Sequence, residues 1–126
     1  SLRDALPKLV EKGIKINGIN VISSLEAGLD MRALRLLADK LKENLKQGVI
    51  ALGSQDNQQK KAYLVIAVTQ DLSNKGLDAG VIIRQVASLI GGSGGGRQDF
   101  AQAGGTKPEN FVLAFEKIKD IIRSSV

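Results

Sequence analysis

Residues 62–68 read Ala62-Tyr63-Leu64-Val65-Ile66-Ala67-Val68, an apolar run without alternation. A strand exposed on one face alternates between apolar and polar side chains, so an unbroken run predicts a strand covered on both faces. Val49 to Leu52 forms a second such strand, and the polar stretch from Ser54 to Lys61 reads as the loop that joins the two as a hairpin. Upstream, Ile14, Ile16, Ile19, Val21 and Ile22 surround Asn17-Gly18. That dipeptide suits a tight hairpin turn, whose two central residues need positive φ. The second arm, Ile19 to about Leu25, is the better strand.

Helical spacing governs the rest. Asp30 is placed to cap a helix from Met31 to about Gln47, with Leu34, Leu37, Ala38, Leu41 and Leu45 as its apolar stripe and Gly48 as its stop. Its other face mixes Arg32, Arg35, Lys42 and Lys46 with Asp39 and Glu43, the pattern of a solvated, ion-paired surface. Ala79, Ile82, Ile83, Val86, Leu89 and Ile90 predict a buried helix over 77–90, although Val81-Ile82-Ile83 is β-branched. Phe111, Ala114, Phe115, Ile118 and Ile122 predict a final amphipathic helix, with Thr106 as a candidate cap ahead of Pro108. At the other end, residues 2–12 carry Leu2, Leu6, Leu9 and Val10 at helical spacing. Pro7 predicts a kink or break there, and Gly13 a stop. The expected architecture is α+β, a small globular domain with helices packed on a short, mostly antiparallel or mixed sheet. Residues 1–13 are expected to end a helical segment, and 14–126 to form the globular domain.

Composition narrows the chemistry. The 126 residues suit one domain, and 43% hydrophobic with 25% charged residues is ordinary for a globular one. There is no cysteine and no histidine, which removes disulfides, thiolate nucleophiles and the commonest general base and metal ligand. No pair of carboxylates has a spacing suited to acid–base work, and no catalytic residue, metal site or cofactor is expected. The formal charge of +5 is spread along the chain without a polybasic run, which permits a polyanionic partner without demanding one. No apolar stretch approaches the ~20 residues that span a bilayer, so no membrane partner is expected, and the lack of cysteine makes the cytoplasm the default location. A start at Ser1 suggests a processed or excised segment.

One segment departs from this ordinary pattern. Residues 91–105 read Gly-Gly-Ser-Gly-Gly-Gly-Arg-Gln-Asp-Phe-Ala-Gln-Ala-Gly-Gly and hold seven of the chain's 14 glycines. Glycine loses more conformational freedom on ordering than any other residue, so such density calls for a use of bare backbone. A flexible linker is one reading. Against it, the glycines enclose Arg97, Asp99, Phe100 and Gln102 and lie between two apolar helices. An anion cradle is the other, with successive backbone N–H groups approaching a phosphate and an arginine adding a two-pronged donor. Known nucleotide fingerprints fail. Arg97 occupies the last position of a Gly-x-Gly-x-x-Gly match from Gly92, and Arg97-Gln98 replaces the Lys-Ser/Thr of a phosphate-binding loop.

The fifteen residues from Gly91 to Gly105 resemble the signature of the C-terminal domain of alanyl-tRNA synthetase, called C-Ala, which belongs to the DHH-associated group also found in DHH phosphoesterases. The resemblance extends to Asn17-Gly18-Ile19, Leu34-Arg35, the Val65–Thr69 strand and Lys75-Gly76-Leu77-Asp78-Ala79-Gly80. It implies an α+β domain that binds the elbow of alanine tRNA. It also implies support of aminoacylation and editing by the parent ligase, alongside that parent's other domains, with dimerisation in some members. Ser93, where the family often has lysine, lacks one expected phosphate contact; Gln98 and Phe100 stand where it often has proline and methionine. Phosphoesterase relatives usually end the glycine run with histidine, so Arg97 favours the synthetase branch.

The candidate nucleic-acid contacts are Ser93, Gly94, Gly95, Gly96, Arg97 and Gln102 in the loop, with Lys60, Lys61 and Lys107. Each has a competing structural role. Arg97 can pair with Asp99, and Lys60-Lys61 can be a solvated turn. Phe100 can stack on a base or pin the loop to the core. Arg84 can flank the loop or simply snorkel, and Leu36, with Leu2 and Leu6, is a candidate homodimer contact. Two further readings stand beside tRNA binding: the accessory nucleic-acid-binding domain of a DHH phosphoesterase, and a dimerisation module with a purely structural glycine loop.

Overall fold

Leu64, Val65, Ile66, Ala67 and Val68 are all completely buried, as a strand covered on both faces requires. The computed structural model describes residues 2–126, with side chains from residue 3 onward. In chain order the elements are α1 (Leu2–Glu11), β1 (Ile14–Ile16), β2 (Ile19–Ala27), α2 (Met31–Glu43), β3 (Val49–Asp56), β4 (Lys61–Val68), α3 (Gln70–Asn74), α4 (Ala79–Val86), a 3-10 turn (Ala87–Ile90), β5 (Gly92–Gly96), β6 (Phe100–Gly105), a second 3-10 turn (Pro108–Asn110) and α5 (Phe111–Ser125). The strands form one six-stranded sheet in the order β1-β2-β3-β4-β6-β5. All pairings are antiparallel except β2 with β3, where α2 provides the crossover between parallel neighbours. The mixed α+β architecture expected from the sequence is the one observed.

Helices cover both faces. On one, α1 and α2 bury Leu9, Leu34, Leu37 and Leu41 against Ile22, Ile50, Leu52, Val65, Ala67 and Phe100. On the other, α4 and α5 bury Ile82, Ile83, Val86, Phe111, Ile118 and Ile122 against Val49, Ala51, Leu64, Ile66 and Val68. Phe111 reaches the sheet because β3 carries Gly53 beneath it, where a Cβ would come within 2.5 Å of the ring. Among the described residues, no helix is long and apolar enough to cross a membrane.

Local signals held where the chemistry was specific. Asn17 and Gly18 turn the β1–β2 hairpin at φ of 50° and 83°. The Asp30 carboxylate accepts from the Ala33 N–H at 2.9 Å and caps α2. Elsewhere the boundaries moved. Helix α2 stops at Glu43, not Gln47, because Asn44 bonds back to the last turn. The β3–β4 strands run on through Ser54–Asp56 and Lys61, leaving only residues 57–60 as loop. The carboxylate of Asp56 takes the Gln58 and Gln59 N–H groups, both at 3.1 Å. Helix α1 continues through Pro7, at the loss of one internal hydrogen bond. Thr106 does not cap the last helix; its hydroxyl donates to the Gly91 carbonyl, and a 3-10 turn at Pro108 precedes α5. Short α3 carried no apolar periodicity long enough to predict. Ser1 and the Leu2 side chain, with its part in the candidate dimer contact, lie outside the described residues. Leu6 packs partly on the core, whereas Leu36 is exposed.

The largest correction concerns the glycine segment. It is not a loop but the β5–β6 hairpin, with Gly92 opposite Gly105 and Gly96 opposite Ala101. Sequence propensity argues against strand at every glycine. The register of β6 on the buried β4, from Ala62↔Gly105 to Ala67↔Phe100, overrides that propensity and brings β5 in as the outer strand.

Candidate nucleic-acid interface

The hairpin's turn, residues 97–99, is anchored from three sides. The Ala79 and Gly80 N–H groups at the start of α4 donate to the Gln98 and Arg97 carbonyls at 2.7 and 3.0 Å. The Arg97 N–H donates to the Phe100 carbonyl, and the Val68 N–H to that of Asp99, both at 2.9 Å. The α4 amides that a free helix end would offer to an anion are thus occupied by protein. What remains open is β5 itself, an edge strand paired on one side only, with Gly92, Ser93, Gly94 and Gly96 exposed.

The glycines there serve two different purposes. A Cβ on Gly92 would fall 1.7 Å from the Gly104 carbonyl oxygen, and one on Gly94 would fall 2.2 Å from that of Gln102. Close strand approach alone demands glycine at these positions. Gly95 is different: a Cβ would meet nothing nearer than an Arg84 Nη1 at 3.7 Å, and its φ is not left-handed. Its bare backbone has no packing reason and leaves the main chain there open to approach.

Gly95 and Gly96 line a concavity of about 370 Å³ together with Arg35, Arg97, Phe100, Ala101 and Gln102. The Arg35 guanidinium reaches it from α2, donating to Gln102 Oε1 at 2.7 Å and lying 5.3 Å from the centre of the Phe100 ring. Phe100 is 9% exposed and belongs to the core, so it pins the hairpin and does not present a free stacking face. Arg97 is 77% exposed along its side chain while its Nε contacts Asp99 at 3.2 Å. Two arginines from different elements thus flank one bare main-chain segment, the geometry of an anion site. Sequence reading placed Arg35 on a solvated, ion-paired face. Leu34-Arg35 belongs to the family resemblance, but helix periodicity cannot show that one exposed arginine leans over a strand 67 residues away.

The remaining candidates do not join that concavity. Lys60 and Lys61 stand at the β3–β4 turn, and Lys107 follows β6, near the Ala62↔Gly105 end of the ladder. The Ala67↔Phe100 end beside Arg97 lies five residues along, roughly 17 Å away. Ser93 lies opposite Gly104, between the two ends. Sequence order gave no sign of this separation, because only the ladder register measures it.

Asp99 ties the turn to α2. Burial pushes its carboxyl up, but the Lys42 ammonium at 3.4 Å, and then Arg97, outweigh this and hold it below its ordinary 3.8. Asp71 is also held low, by the Gln47 amide and the Thr69 hydroxyl. A carboxyl whose pKa falls on folding stabilises the fold above its unfolded value and loses that contribution as pH drops through the folded one. Asp99→Asn is therefore expected to lower the thermal midpoint at neutral pH. In melts across an acid series, that deficit should vanish below the folded pKa; a deficit unchanged in acid would mean the carboxylate's charge plays no part.

Comparison with known proteins identifies the family and the fold. Residues 18–124 match the DHHA1 domain model. The chain is 40% identical over 116 residues to the alanine–tRNA ligase of Bacillus subtilis (strain 168), covering 92% of this chain and 13% of the relative. It thus spans only a small part of the curated relatives it matches. The crystal structure of the C-Ala domain from Aquifex aeolicus alanyl-tRNA synthetase superimposes with a TM-score of 0.82 at 30% identity, covering 89% of this chain and 98% of that one. RecJ from Thermus thermophilus shares the fold alone, with a TM-score of 0.67 at 14% identity over 95% of this chain and 17% of that one. With the family model spanning β2 to β6, the glycine hairpin included, the chain belongs to the DHHA1 domain family and, within it, to the C-Ala domains of alanyl-tRNA synthetases.

Proposed function

We propose that this domain binds tRNA, alanine tRNA at its elbow, as the RNA-holding module of a cytoplasmic alanine–tRNA ligase whose other domains carry out aminoacylation and editing. The observation that carries the reading is the pairing of Arg35 and Arg97 across a concavity floored by Gly95, whose backbone has no structural need to be bare. Folded RNA is recognised largely through shape, 2′-hydroxyls and phosphates, and such a site offers two forked guanidinium donors with unobstructed main chain between them. The +5 charge favours the encounter. Homodimerisation through the exposed Leu36 is a separate property, measurable by sedimentation without RNA.

Arg97→Ala is expected to weaken tRNA binding about tenfold and to reduce the salt slope of log K by about one. Filter-binding titrations at several salt concentrations check this, with alanine tRNA, a second tRNA and a single-stranded oligonucleotide in parallel. Unchanged affinity and slope would remove Arg97 from the interface. Preference for the oligonucleotide over folded tRNA would favour the accessory domain of a nucleic-acid phosphoesterase instead.

A further inference from the structure

The chain has four aromatic residues, and each of them packs on one of the two cores. Phe111 and Phe100 are buried on opposite faces of the sheet, and Phe115 is partly buried on the Phe111 side with its ring centre 5.6 Å from that of Phe111. Tyr63 is partly buried against the core under α1 and α2, and differs from the three phenylalanines in its polar end. It sits on β4, half-buried, with a phenolic oxygen that makes no hydrogen bond among the described residues. Its cross-strand neighbour on β6 is Gly104, exposed, where a Cβ would meet nothing nearer than the Ala62 carbonyl oxygen at 4.0 Å. The sheet is therefore bare beside the ring on the side away from β3.

Strand alternation places Lys61, Tyr63 and Val65 on one face of β4, and register places Gln102, which holds Arg35, opposite Val65. The order along that face is Lys61, Tyr63, then Gln102 with Arg35, each step about 7 Å. A cation, an aromatic ring and a second cation at that spacing match a nucleotide strand, with phosphates on the cations and a base on the ring. Asp30 and Asp56 line the hollow on the β3 side of Tyr63, so a polyanion is repelled there and directed along β6. Both carboxylates are already engaged, by the α2 cap and the β3–β4 turn.

We infer that Tyr63 stacks on an exposed base of the bound RNA, along a path over β6 that links the Arg35–Arg97 concavity to Lys61. This rests on the RNA-binding reading above and extends it by assigning the base contact and joining the two basic ends of the sheet. Phe100, suggested by its place in the glycine segment, cannot take that role beneath Arg35. Aromatic stacking tolerates any base, so Tyr63 would add affinity for an unpaired or end-exposed base without strong sequence preference.

The chain has one tyrosine and no tryptophan, so its intrinsic emission reports on Tyr63 alone. Titrating alanine tRNA into the unaltered chain, corrected against N-acetyltyrosinamide in the same RNA, is expected to quench that emission along the binding curve. Tyr63→Val, which keeps a strand-forming residue, is expected to weaken binding about tenfold with the salt slope unchanged, and Tyr63→Phe to restore most of the loss. Binding without quenching, or a Val variant that binds as tightly as the unaltered chain, overturns the Tyr63 assignment and leaves tRNA binding intact. The quench needs no variant, so the assignment is decided even if Tyr63→Val fails to fold. A chain that binds no tRNA overturns the functional reading, and this inference with it.

Discussion

Gly92→Ala is expected to destabilise the domain by about 3 kcal/mol or to detach the β5 strand, whereas Gly95→Ala should change its stability by less than about 1 kcal/mol. Both glycines belong to the same strand and carry the same added methyl group. The difference lies in what the methyl meets: the Gly104 carbonyl oxygen at 1.7 Å in one case, open space beside Arg84 in the other. Neither has a left-handed φ, so backbone strain does not blur the comparison. Urea melts of the two variants measure the stability term. The same pair separates structure from binding, because Gly95→Ala should fold normally yet weaken tRNA binding by crowding the concavity. A Gly95→Ala chain with full affinity would mean that no ligand approaches the backbone there, and a Gly92→Ala chain of unaltered stability would refute the close strand contact.

Phe111→Ala should cost about 3–5 kcal/mol, the usual range for removing a large buried aromatic side chain. Phe111 is 1% exposed, lies over Gly53 on β3 and contacts Phe115, so truncation leaves a void between the sheet and α5. The site cannot collapse easily, since the backbone on one side belongs to a central strand paired on both edges. Denaturant unfolding of the variant is the check. Adding a side chain at Gly53 is not a compensating change in the unaltered chain, because the ring already occupies that space. In the Phe111→Ala background, however, Gly53→Ala should recover part of the loss, and a strictly additive double variant would show that the two positions do not share one packing space.

Much of the fold was legible in short-range chemistry. The unbroken run at 62–68 marked the doubly covered strand, Asn17-Gly18 marked a hairpin, and Asp30 marked a helix start, each through an interaction completed within a few residues. Composition removed cysteine and histidine chemistry outright. The segment from Gly91 to Gly105 also carried the family resemblance that the domain model and the C-Ala structure support.

The use of that segment was not legible, because the same glycines satisfy opposite demands. Gly92 and Gly94 yield space to a neighbouring strand, Gly95 leaves space open, and nothing local distinguishes them until β6 is laid against β4. Arg35 reaches the concavity only because α2 crosses the sheet and sets it on Phe100 and Gln102. Lys60 and Lys61 separated from Arg97 for the same reason. Residue type and local pattern thus determined the elements and the family. Which bare backbone faces outward, and which cations share a surface, depended on contacts between residues far apart in the chain, and only the packed sheet brings those together.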